Sequence, residues 1–147
     1  MKNEILKYLF IGMILCIALL TLNCGGGRKE ATVEPDPMDD KGIGPISSVE
    51  FGSKIDMDLA KKGEELYGQM CTACHRQDQD FIGPTPKGIM ERRSPEWIMN
   101  MILNPEEMVQ KNKIAKDLLI KYNGAPMANQ DLTEEQARAV LEYFRTL

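Results

Sequence analysis

The run Cys71, Thr72, Ala73, Cys74, His75 constrains this 147-residue chain more than any other, because it gathers two of four cysteines and the sole histidine within five positions. Cys16 lies inside the apolar run Tyr8 to Leu22 and Cys24 just beyond it, so Cys71 and Cys74 are the pair left to the remainder. Two thiols three residues apart on one turn can both form thioethers with the vinyl groups of one porphyrin, and the next residue then aims its imidazole at the iron. That is the attachment spacing of c-type haem. A thioredoxin-like pair needs a strand before it, yet residues 56–70 are patterned as a helix. Structural zinc wants four Cys or His ligands, and three remain. A local disulfide belongs only to the chain before haem attachment. Aromatic residues are 6% of the chain, a thin supply for a protein-only core.

The N-terminus reads as an export signal. Lys2 and Lys7 precede about 15 apolar residues, where a spanning helix wants roughly 20. The run ends at Leu22, Asn23 and Cys24, followed by three glycines. This resembles the lipobox of bacterial lipoproteins, with Thr21 and Asn23 at positions where that pattern has Leu and Gly or Ala. The expected organisation is a signal peptide over 1–23, an acylated Cys24 with a disordered tether over 24–52, and a folded domain over 53–147, with a plain cleaved signal or an uncleaved anchor as the alternatives to lipidation. The tether is expected because this stretch is rich in Pro, Gly and acidic side chains. As a flexible coil it would span on the order of 30 Å. The net charge of −4, from 18 Lys plus Arg against 22 Asp plus Glu, excludes a nucleic-acid-binding face.

Within the domain, Leu59, Gly63, Leu66, Tyr67 and Met70 make one helical stripe, capped by Asp56 or Asp58. Gly63 in that stripe implies a second helix crossing closely there. Ser94 and Pro95 open a helix through Trp97, Ile98, Met101 and Ile102, which ends at Asn104 as Pro105 starts another turn. Ile114, Leu118 and Tyr122 share a face of a helix from about Lys113 to Tyr122, stopped by Gly124. Thr133 and Gln136 form a capping box ahead of Ala137, Val140, Leu141 and Phe144. No segment alternates like a strand, so the expected class is all-α.

These features together resemble a monohaem class I cytochrome c, over roughly residues 53–147. Gly63 and Tyr67 are similar to the glycine and aromatic of that family's first helix, and Leu141 and Phe144 to the residues of the last helix that cross them. The resemblance implies four to five short helices wrapped around one covalently bound haem c, and a Gly83-Pro84 pair whose proline carbonyl accepts a hydrogen bond from His75. It implies a methionine as sixth ligand. Ten methionines compete, and Met127, in the loop Gly124, Ala125, Pro126 before the final helix, occupies the family's position; Met90 or an open iron are the alternatives. Trp97, Arg92 and Arg93 are candidate donors to the haem propionates, with plain core and solvated surface as the competing readings.

The implied function is single-electron transfer without catalysis, by a monomeric carrier held at a membrane by lipid and free of nucleic acid. Implied redox partners are a quinol-oxidising complex and a terminal oxidase or an anaerobic reductase such as nitrous oxide reductase. The competing expectations are an open-iron haem sensor or peroxidase-like module, short of a distal acid or base once His75 is committed, and a fixed haem subunit of a respiratory complex.

Overall fold

The computed structural model describes residues 36–147. The expected signal peptide, Cys24 and the first part of the tether lie outside the described residues. Among these residues five helices follow one another: α1 (Met57–Met70), α2 (Pro95–Leu103), α3 (Pro105–Lys111), α4 (Lys113–Lys121) and α5 (Glu134–Phe144), with one 3-10 turn at Ile89–Glu91. Among the described residues there is no strand, and no helix is long and apolar enough to cross a membrane.

The helix ends follow local chemistry. Asp56 accepts from the Leu59 N–H at the start of α1, and Ser94 accepts from the Trp97 N–H with Pro95 in the first turn of α2. Asn112 caps α4 through the Ala115 N–H. Thr133 and Gln136 make the reciprocal capping box of α5. After α4, Asn123 and Gly124 both take positive φ, and the Gly124 N–H returns to the Leu119 carbonyl.

Packing is organised by the crossing of α1 and α5. A Cβ on Gly63 would lie 1.9 Å from the Ala139 carbonyl oxygen, so the two backbones touch there and only glycine fits. On either side of the contact, Tyr67 packs edge-on against Phe144 at 5.7 Å between ring centroids and tilted against Tyr143 at 5.5 Å. Trp97, Ile98 and Ile102 of α2 and Val140 and Leu141 of α5 complete the core. At roughly 1.5–3 kcal/mol for each large apolar side chain buried, this shared seam is the main stabilising element.

The tether expectation needs correction from residue 40 onward. Residues 40–52 form an ordered strap across α2 and α3, because their main-chain polar groups find buried partners. Asn100, only 1% exposed, donates to the carbonyls of Lys41 and Ile46 and accepts from the Ile46 N–H. Asp40 accepts from Ser94 and Asn112, the Val49 N–H reaches Glu96, and Gly44 approaches Asn100 too closely for any Cβ. Ile43, Ile46, Val49 and Phe51 pack against the core. Net acidity and Pro/Gly content suggested solvation, yet an apolar residue recurs every two or three positions and the backbone is satisfied by side chains rather than by a helix or sheet.

The strap runs into a buried charge cluster. Glu142, 0% exposed, accepts from the Asp56 N–H at 2.8 Å, from Arg138 at 2.6 Å and from Arg145 at 2.5 Å, and both guanidiniums lie over the Phe51 ring. Burial alone would raise the Glu142 pKa, but these partners outweigh it and hold the carboxyl below the ordinary range.

Candidate functional site

The end of α1 delivers the two cysteines. Cys71 caps the helix through the Tyr67 carbonyl, and the Cys74 and His75 N–H groups both turn back to the Cys71 carbonyl, so the motif is one tight extension of α1. Both thiols are free. Burial, followed by the neighbouring Cys74, pushes the Cys71 thiol up to about 11, which keeps it protonated at neutral pH. Tyr67, its own pKa raised to about 12 chiefly by burial, donates its hydroxyl to the His75 carbonyl at 3.0 Å and fixes the backbone of the motif.

His75 is held from the other side by the following loop. Its Nδ1 lies 2.7 Å from the Pro84 carbonyl, an acceptor only, so Nδ1 carries the hydrogen and Nε2 keeps its lone pair. The imidazole rests against Gly83, where a Cβ would fall 2.5 Å from Cε1. The Gly83 N–H donates to the Cys74 carbonyl. The expected Gly83-Pro84 role therefore appears as geometry: the glycine makes room for the ring and the proline oxygen fixes its tautomer.

Beyond His75 opens a cavity of about 400 Å³ with largely apolar walls. Tyr67, Ile98, Ile102, Leu118, Val140 and Phe144 supply its floor, and Cys71, Cys74, His75 and Met127 all line it. Met70 and Met101 also line it, whereas Met90 packs against the core but is not among the lining residues. Met127 is half-buried, in a loop whose Ala125, Pro126 and Ala128 also border the cavity.

The three expected propionate donors separate. Trp97 lines the cavity with its ring, but its indole N–H is spent on Asn112 Oδ1 at 3.1 Å with both residues buried, so it has no hydrogen to give a propionate. Arg92 is exposed and donates to the Thr85 carbonyl at 2.9 Å. Arg93 lies over the Trp97 ring and donates one Nη to the Arg92 carbonyl, while its Nε is the one side-chain nitrogen or oxygen buried without a partner among the described residues. Burial first and Arg92 second lower its pKa, and Asp40 offsets them only in part. A flat apolar group bearing carboxylates satisfies both the walls and Arg93. The residues present therefore fit a haem. Among the described residues no group of three Cys, His, Asp or Glu gathers as a separate metal site.

The family model for cytochrome c matches residues 60–147. The chain belongs to the cytochrome c family. Its members are haem-bearing electron-transfer proteins, and the all-helical fold agrees with the solved relatives. A cytochrome c from Rhodothermus marinus is 48% identical, with a TM-score of 0.68 over 70% of this chain and 88% of its own. An engineered form of that cytochrome is 47% identical, with a TM-score of 0.67 over 70% of this chain and 89% of its own. The same engineered protein bound to a carbene intermediate is also 47% identical, with a TM-score of 0.65 over 70% of this chain and 88% of its own. No curated protein matches.

Two parts of this cytochrome's site escaped sequence reasoning. The Asn112 partner of Trp97 had a visible signal, a helix N-cap type residue between two helices. The pairing of Asp80 with Tyr122, at 2.6 Å across 42 residues, had none.

Proposed function

We propose that the protein is an exported, membrane-anchored single-electron carrier with one haem c attached through Cys71 and Cys74 and ligated by His75 and Met127. The observation that carries this reading is the His75 imidazole, held by Pro84 at Nδ1 so that Nε2 is the nitrogen left to ligate, on the wall of an apolar cavity that Met127 also lines. Haem, when bound, supplies an iron couple that changes by one electron.

The chain's own residues then have defined tasks. Cys71 and Cys74 would hold the haem covalently through their sulfurs. Pro84 raises the basicity of His75 by accepting its Nδ1 hydrogen. The thioether of Met127, if it ligates the iron, would favour the reduced state and leave no open position for a substrate. Arg93, with Arg92 at the exposed edge, balances propionate charge. Apolar walls exclude water, which lowers the reorganisation that accompanies electron transfer. Lipid at Cys24 would raise the local concentration of the carrier near membrane oxidoreductases. The reading extends to a quinol-oxidising complex as donor and a terminal oxidase or an anaerobic reductase, nitrous oxide reductase among them, as acceptor.

A second reading, an open-iron sensor or peroxidase-like module, draws on the engineered relative solved with a carbene bound. Potentiometric titration of the matured protein with carbon monoxide present separates the two. The carrier gives a reversible one-electron wave and a reduced spectrum indifferent to carbon monoxide. A reduced spectrum that shifts at once on exposure to the gas favours the open iron. Retention of Cys24→Ala in the membrane fraction would contradict the lipid anchor.

A further inference from the structure

The loop from Ala125 to Leu132 carries Met127 but makes few polar contacts with the body of the protein. Its hydrogen bonds are local: Ala125 N–H to the Tyr122 carbonyl, Gln130 to the Ala128 carbonyl, and the Asp131 N–H to Asn129. At its base, however, Tyr122 donates its hydroxyl to Asp80 Oδ2 at 2.6 Å. Asp80 belongs to the loop that follows His75, and its other oxygen accepts from the Thr85 N–H at 3.0 Å, next to Pro84. Lys121 donates to the Tyr122 oxygen at 3.2 Å and stands 3.6 Å from Asp80 Oδ2. Asp80, Lys121 and Tyr122 all line the cavity, with Asp80 and Lys121 exposed at its rim.

We infer that Asp80 and Tyr122 form a clasp across the cavity rim that ties the Met127 loop to the His75 loop and sets how readily Met127 yields its place to another ligand. The inference rests on the proposed His75/Met127 ligation. Asp80 and Tyr122 are positioning residues: they act on Met127 through the loop and touch neither ligand. The clasp suits this task because it is the long-range hydrogen bond nearest the loop, it ends on a carboxylate and is strengthened accordingly, and it joins the C-cap of α4, three residues before the Met127 loop, to the loop that follows His75. Without it, the exposed Lys121–Asp80 ion pair at 3.6 Å is the polar tie that remains across the rim, and the loop otherwise opens by breaking apolar contacts.

The test uses the ferric holoprotein with imidazole as competing ligand, together with amide hydrogen exchange across residues 123–132. Loss of a charge-assisted hydrogen bond at an exposed site is worth about a five- to tenfold change in the opening equilibrium. Tyr122→Phe should therefore bind imidazole about five- to tenfold more tightly and speed exchange in the loop by a similar factor, with α1 and α5 unchanged. Asp80→Ala should do the same, and adding Tyr122→Phe to it should change little more, since the pair acts as one unit. Asp80→Asn keeps an oxygen to accept from Tyr122 and should recover much of the wild-type behaviour. Imidazole affinity and loop exchange within twofold of wild type in Tyr122→Phe would overturn the clasp. If wild-type iron proves not to be ligated by Met127, the imidazole measurement overturns the proposed ligation, while exchange in the loop still decides for or against the clasp.

Discussion

The two ligand-bearing walls of the cavity are built by different means. His75 is held on both sides by bonds between a side chain and the main chain, the Tyr67 hydroxyl donating to its carbonyl and its ring Nδ1 donating to the Pro84 carbonyl, with Gly83 fitted against the imidazole. Behind it stands the α1–α5 crossing. Met127 rides on a loop whose hydrogen bonds are local, closed at its base where Tyr122 and Lys121 meet Asp80. One proposed ligand is part of the fold, and the other is attached to it. The contrast teaches that a carrier can fix its cofactor through one side and keep the other side adjustable, and it predicts unequal penalties for substitutions on the two.

The largest effect should come from Gly63→Ala, whose methyl would meet the Ala139 backbone at 1.9 Å. Backbone cannot rotate away as a side chain can, so the crossing must open; a loss of about 3 kcal/mol or more in chemical denaturation is expected. A variant as stable as wild type would show that the frame behind His75 is not rigid. Gly83→Ala comes next, since its methyl would meet the imidazole 2.5 Å away. Holoprotein yield should fall several-fold, measured as covalent haem per chain, and a full yield would remove the distinction between the walls.

Asn100→Ala sharpens the comparison by weakening the frame at a distance from either ligand. It strands the Ile46 N–H and two carbonyls of the strap, so a stability loss of about 2–3 kcal/mol is expected with the haem spectrum unchanged. A smaller effect should follow from Glu142. Its folded-state pKa is depressed, so the stability it contributes is present above the unfolded carboxyl value of about 4.3 and is lost as pH falls through the folded value. Thermal melts across the acid range should therefore show wild type losing stability as pH drops, and Glu142→Gln starting lower at neutral pH with a flatter slope. Parallel slopes in the two proteins would contradict that assignment.

The same inequality explains what could be read from the chain. Helix caps, the Gly63 crossing, the Cys71-to-His75 motif and the Gly83-Pro84 pair are local or fixed by short spacing, and each left a signature of residue type. The strap did not, because its order depends on Asn100, more than fifty residues away in sequence, satisfying a backbone that by composition looked solvated. Trp97 was legible as a propionate donor or plain core but not as a donor already engaged, since that depends on where Asn112 lies. The clasp depends on two loops meeting and on nothing within either.

The central claim is that His75 and Met127 ligate one haem iron from these unequal walls. Its most direct test is the ferric absorption spectrum of wild type and Met127→Ala in the far red, where the methionine-to-iron band falls. The account predicts the band in wild type and its loss in Met127→Ala, with the haem still covalently bound and little change in the stability of the helices. A band that survives Met127→Ala, or a wild-type spectrum that is high-spin without it, would contradict the claim.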